Sequence, residues 1–147
     1  MGRHHPLSGT APSLDDYLTW PHLQVSGGGD KDSPVEQVLA PLGLSRRWFA
    51  RVPFFQAAVE VLLRTDCLMT TPAHIAWQLS REHALSFCDL PFATRVQQYH
   101  LLWHQRHHLD PAHRWFRELA YPFLRDHLQR TLGESRKQLG LKADPLR

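Results

Sequence analysis

Apolar positions along this chain change their period several times, and each change marks an element. Ser13 to Asp16 offers a capping box for a short helical turn through Leu18. Trp20-Pro21-His22-Leu23-Gln24-Val25-Ser26 then alternates as a strand would, and stops at Gly27-Gly28-Gly29-Asp30. Ser33-Pro34-Val35-Glu36 is a helix start, with serine as cap, proline at the first helical position and Glu36 completing a second box. Val35, Val38, Leu39 and Leu42 follow at helical spacing, and Gly43 supplies the stop.

A strand is expected over residues 47–52, and Pro53 opens a helix whose stripe is Phe54, Ala57, Ala58, Val61 and Leu62. Cys67-Leu68-Met69-Thr70 reads as a covered strand. Thr71-Pro72 caps the next helix, which turns Ile75, Ala76 and Leu79 inward. Periodicity is lost over residues 85–92, and residues 94–103 read as a longer strand. Asp110-Pro111 restarts a helix with Ala112, Trp115, Phe116, Leu119, Phe123 and, further on, Leu128 on its buried side, where Pro122 is expected to kink it or shift its end. Strands alternating with capped helices predict an α/β fold with a largely parallel sheet, without internal repeats.

Composition narrows the picture. The 147 residues, 42% hydrophobic, can build one moderate core. The formal charge of +3 arises entirely in residues 130–147, which hold five basic and two acidic side chains and read as a basic, flexible tail. The remaining body is formally neutral, so the charge says little about a nucleic-acid footprint. Cys67 and Cys88 are the only cysteines and have no metal-ligand spacing; nothing resembles a signal peptide or a bilayer-spanning run. A cytoplasmic protein with free thiols is expected, with no membrane partner.

The most conspicuous chemistry lies between Trp103 and Glu118, where His104, His107, His108 and His113 crowd together. His107 and His108 are adjacent and point to different sides of any regular element, and no HExxH motif is present, so no metal site is assigned. Surface and loop histidines with structural hydrogen bonds are expected instead. No GxSxG elbow supports serine catalysis, and the glycines after Ser26 match neither nucleotide-binding signature. No catalytic residue and no cofactor are therefore assigned. Trp77, Trp103 and Trp115 read as packing residues, and Cys67 as a small core residue.

Thr70 and Thr71 form another kind of candidate. If Ser26 and Thr71 end neighbouring parallel strands, their hydroxyls and nearby helix-terminal amides could face a small anion. A local cap explains Thr71 equally well without a ligand. Phe54 and Phe55 pose a similar choice, since one should enter the core while the other lines a cleft.

Taken in order, several phrases resemble the latter part of the effector-binding domain of LysR-type transcriptional regulators. They are Leu14-Asp15-Asp16-Tyr17-Leu18, Pro21-His22-Leu23-Gln24-Val25-Ser26, Ala40-Pro41-Leu42-Gly43-Leu44-Ser45-Arg46-Arg47 and Arg51-Val52-Pro53-Phe54-Phe55. Arg64-Thr65-Asp66-Cys67-Leu68-Met69-Thr70-Thr71-Pro72, Leu90-Pro91-Phe92 and the stretch from Trp103 to Glu118 continue the series. The resemblance spans roughly residues 5–125.

It implies a periplasmic-binding-protein-like α/β fold made of a second lobe plus the returning C-terminal part of an incomplete first lobe. The expected divisions are residues 1–12 as a polar N-terminal segment and lobe crossover, 13–88 as the second lobe, 89–129 as return strand and C-terminal helix, and 130–147 as the tail. Matching by motif carries Ser26, Phe54, Phe55, Thr70 and Thr71 over as effector-cleft candidates. It also implies a noncatalytic, truncated ligand-sensing domain that binds a small-molecule effector if the missing lobe is supplied. Self-association is the leading expectation for a partner. A winged helix-turn-helix is not found before residue 5, so no specific DNA binding by this chain alone is expected. The competing reading is a structural or oligomerisation remnant without effector binding.

Overall fold

The computed structural model describes residues 1–26 and 33–140. The chain divides into two compact units, Met1–Arg95 and Val96–Arg147. The glycine run at 27–29 and the end of the basic tail at 141–147 lie outside the described residues.

The first unit contains α1 (Leu14–Thr19), β1 (His22–Val25), α2 (Pro34–Leu39), β2 (Trp48–Val52), α3 (Phe55–Leu62), β3 (Leu68–Met69) and α4 (Ala73–Glu82). Its strands lie in the order β2-β1-β3, all parallel. The connection from β1 to β2 runs one way across the sheet, and that from β2 to β3 passes back over β1. Right-handed crossovers in opposite directions must occupy opposite faces. The core is accordingly double. Leu23 of β1 packs with Ala58, Val59 and Leu62 of α3, together with Cys67 and Leu85. Tyr17, Val35, Leu39 and Leu68 form the second cluster with Met1. Leu23, Val59 and Leu62 are essentially inaccessible, and burying each contributes about 1.5–3 kcal/mol.

The helix starts follow local chemistry with two departures. Ser13 Oγ accepts the Asp16 amide at 3.1 Å while the Asp16 carboxylate accepts the Ser13 amide at 2.9 Å, completing the expected box. Ser33 flanks α2 but caps no amide; its hydroxyl donates to the Glu36 carboxylate and accepts from Arg46. The buried Arg46 guanidinium draws both groups away from capping geometry. Similarly, α4 begins after Pro72, and Thr71 makes no cap. Gly43 ends the turn after α2 at φ 69°, a left-handed conformation suited to glycine.

The second unit differs more from expectation. Residues 94–103 form no strand, and among the described residues no segment pairs with them. A strand is completed by a neighbour's amides and carbonyls, so an alternating pattern alone cannot produce one. α5 (Pro111–Gln138) needs no such neighbour; Asp110 Oδ1 accepts the His113 amide at 2.9 Å and caps it.

α5 continues through Pro122 rather than ending there, and residues 130–138 of the expected flexible tail are helical. Most of the stripe expected to be buried is exposed: Trp115 is 65%, Phe116 56%, Leu119 60% and Phe123 73% accessible, while Leu128 is half-buried. Helical period identifies a face that needs covering without supplying the cover. Trp103 is not a core residue either; it is 43% accessible and lies under the Arg117 guanidinium, 4.5 Å from its ring centroid.

Candidate functional site

Because all three strands are parallel, Ser26, Phe54 and Thr70-Thr71 follow strand ends on one edge of the sheet. The Ser26 amide donates to Val52 O at 2.9 Å, tying the end of β1 to that of β2. Open parallel sheets leave a crevice beside strands whose connections depart over opposite faces. Here that place lies between β1 and β3, flanked by Ser26 on one side and Thr70-Thr71 on the other. Phe54 is 59% accessible beyond β2, and Phe55 is half-buried at the start of α3.

Thr70 and Thr71 share a cavity of about 90 Å³ with Tyr17, Met69, Ala76 and Cys88. Ser26, Phe54 and Phe55 do not line it. Thr71 Oγ1 is buried without a hydrogen-bond partner, which costs free energy unless a ligand or water satisfies it. Thr70 Oγ1 lies 2.7 Å from the Tyr17 hydroxyl. Behind Tyr17, the Arg46 guanidinium donates to its hydroxyl at 3.3 Å. Two further Arg46 nitrogens grip the Glu36 carboxylate at 2.8 and 2.7 Å, and the guanidinium lies over the Trp48 ring at 4.3 Å.

These contacts set the charge states. Burial pushes the Tyr17 phenol above its ordinary range, so it stays a neutral hydroxyl. Burial alone would raise Glu36, but Ser33 and Arg46 outweigh it and hold the carboxyl low. His22 is fully buried, and burial lowers it to about 4. Its Nε2 lies 2.8 Å from the Tyr17 carbonyl; a neutral ring bonded to a carbonyl carries its proton there. Tyr17 is thus fixed at both its backbone and its hydroxyl. Burial also raises the Cys88 thiol, which keeps it protonated beside the cavity.

Sequence patterns gave no sign of Tyr17, Arg46 or Glu36 as a unit. Arg46 sits beside Arg47 in the chain, and no local feature separates the buried arginine from its exposed neighbour. Cys67 does pack in the core, and neither cysteine is paired.

The histidine-rich stretch is organised by arginines. Arg117 donates to the carbonyls of His107 and His108 at 3.1 and 3.0 Å and lies 2.9 Å from His113 Nδ1. Arg106 Nε donates to His107 Nε2 at 2.8 Å. The His107 nitrogen is already an acceptor for a cation's N–H. Among the described residues no group of three or more His, Cys, Asp or Glu is placed to hold a metal ion, and no described helix is long and apolar enough to cross a membrane.

The first unit is a parallel α/β layer with a small cavity beside the end of β3, and comparison with known proteins identifies its family. Residues 1–125 match the LysR substrate binding domain, and the chain belongs to that family of transcriptional regulators rather than to an enzyme family. It is 27% identical over 124 residues to the HTH-type transcriptional activator NahR of Pseudomonas putida, covering 84% of this chain and 41% of NahR. It is 31% identical over 113 residues to Nodulation protein D 1 of Sinorhizobium fredii, covering 73% of this chain and 34% of that protein.

The regulatory domain of MexT, a transcriptional activator in Pseudomonas aeruginosa, superposes with a TM-score of 0.62 at 33% identity, covering 76% of this chain and 57% of that one. A structure from Vibrio parahaemolyticus, described as that of a transcriptional regulator, gives 0.73 at 29% identity over 91% of this chain and 60% of its own. The chain therefore spans well under half the length of the curated relatives cited. Among the described residues there is no winged helix-turn-helix.

Proposed function

We propose that this chain is a ligand-sensing part of a LysR-type regulator, in which a small-molecule effector binds at the carboxyl edge of the parallel sheet. The observation that carries this reading is the cavity lined by Thr70, Thr71 and Tyr17 at the end of β3, beside which the Thr71 hydroxyl is buried without a partner. Thr70 and Thr71 contact the effector directly, while Ser26, Phe54 and Phe55 face it across the cleft of a complete domain. In this reading residues 13–88 are the second lobe and residues 89–129 belong to an incomplete first lobe. The effector acts by binding alternative arrangements of the regulator with different affinities.

Self-association is the proposed partnership, the cytoplasm the proposed location, and operator-selective DNA binding is not expected of these residues alone. A thermal-shift screen of small organic acids and aromatic compounds, followed by calorimetry on the hits, tests the sensing role. Saturable binding that is weakened by Thr71→Val supports it. Absence of any saturable compound favours the competing reading, a structural or oligomerisation remnant, to which the exposed stripe of α5 gives separate support.

A further inference from the structure

We infer that the cavity at the end of β3 selects an uncharged effector, one whose hydrogen-bonding group is a hydroxyl or a carboxamide rather than a carboxylate or an ammonium. The inference rests on the effector reading above and adds the chemical class of what binds. Leu7, Leu68 and Leu90 give the cavity apolar walls, while Tyr17, Thr70 and Thr71 give it hydroxyls. Tyr17 and Thr70 share one hydrogen bond of 2.7 Å, which uses one of their two protons. Thr71 Oγ1 uses neither its donor nor its acceptor capacity. A group that both accepts and donates satisfies such a set, as a hydroxyl or a carboxamide does.

Charge is what the cavity lacks the means to balance. Among the described residues that line it there is no lysine, arginine or histidine. The Arg46 guanidinium lies behind Tyr17, where the Glu36 carboxylate already neutralises it at 2.8 and 2.7 Å. Cys88 stays a neutral thiol because burial raises it. Burial also draws the Met1 amino group, 3.4 Å from Ser86 O, towards its uncharged form. The one acidic side chain among the described lining residues, Asp89, is exposed and repels an anion. The amino end of α4, next to Thr71, offers an anion a partial positive charge worth about tenfold in affinity. Stripping a carboxylate of water without a counter-ion costs about a hundredfold or more, so the helix end does not rescue it. An ammonium gains little from Asp89, whose exposure to solvent screens the attraction, and the same helix end repels it.

Two matched sets of probes read this selectivity on the purified chain: benzamide, benzyl alcohol, benzoate and benzylammonium, and the four compounds with cyclohexane in place of benzene. NMR titration at neutral pH measures each affinity and maps it to the amides around Thr71 and Cys88. The uncharged members should bind saturably there, with the carboxylate and the ammonium at least about tenfold weaker. Asp89→Asn should improve the carboxylate severalfold, and Thr71→Val should weaken the uncharged members. Circular dichroism checks that both variants remain folded. A carboxylate or an ammonium that binds in the cavity as tightly as its amide would overturn the charge class alone and leave the effector site standing. Binding of the uncharged members elsewhere, or no binding by any member of either set, would overturn both readings.

Discussion

The hydroxyl of Tyr17 lies 2.7 Å from Oγ1 of Thr70, and either oxygen can be the donor of that hydrogen bond. Arg46 has only donors, so the Tyr17 oxygen also accepts from it at 3.3 Å. One of the two hydroxyl protons makes the Tyr17–Thr70 bond and the other is left over, so the pair keeps a spare donor. A ligand group with an acceptor oxygen suits such a pair.

Replacing Arg46 with Met should destabilise the first unit by about 2–4 kcal/mol, because the partly buried Glu36 carboxylate would lose its cation while the Tyr17 hydroxyl lost its donor. Urea denaturation measures the loss. Adding Glu36→Gln should restore part of it, since no unpaired charge would remain; further loss in the double variant would contradict the pairing.

Thr71→Val keeps the side-chain shape and removes a buried hydroxyl that has no partner. Stability of the free protein should rise by about 1 kcal/mol, while affinity for any effector bound in the cavity should fall. A drop in the melting temperature of the free protein would show instead that the hydroxyl contributes to the fold.

Acid should unfold the first unit through His22. Its ordinary value of 6.5 falls to about 4 in the folded state, so between these limits the unfolded chain binds a proton that the folded chain refuses. The contribution is complete above about pH 6.5 and is lost as pH falls towards 4, by about 3 kcal/mol in total. His5, lowered mainly by burial, acts in the same direction. Denaturation midpoints measured across this range should decline steadily, and His22→Gln should flatten the decline; an unchanged slope in that variant would assign the acid sensitivity elsewhere.

Gly43→Ala should cost about 1 kcal/mol through backbone conformation alone. The residue holds φ at 69°, yet nothing lies within 4 Å of the position a Cβ would occupy. Thermal unfolding should register the loss without any change in the cavity.

Much of the first unit was legible in the chain because its signals are local. Ser13, Gly43 and, on α3, Ala58 and Leu62 act within a turn or two of themselves, whereas Phe54 of the expected stripe precedes the helix and is exposed while Val59 takes a place in the core; the alternation of strands and helices was enough to predict a parallel α/β sheet. The cleft candidates were legible as places rather than as a set: Thr70 and Thr71 share a cavity, whereas Ser26, Phe54 and Phe55 stand apart from it.

What the tertiary structure alone decided depends on distant partners. Tyr17 and Arg46 are 29 residues apart, and Tyr17 and Thr70 are 53 apart; only the crossovers of the sheet bring them together. The same distinction separates residues 94–103 from α5. A helix satisfies its backbone within its own turns and forms from sequence and a cap, whereas a strand needs amides and carbonyls from a neighbour. Sequence by itself therefore determined which segments could be helices and which faces were apolar, and the assembled fold decided which faces were covered.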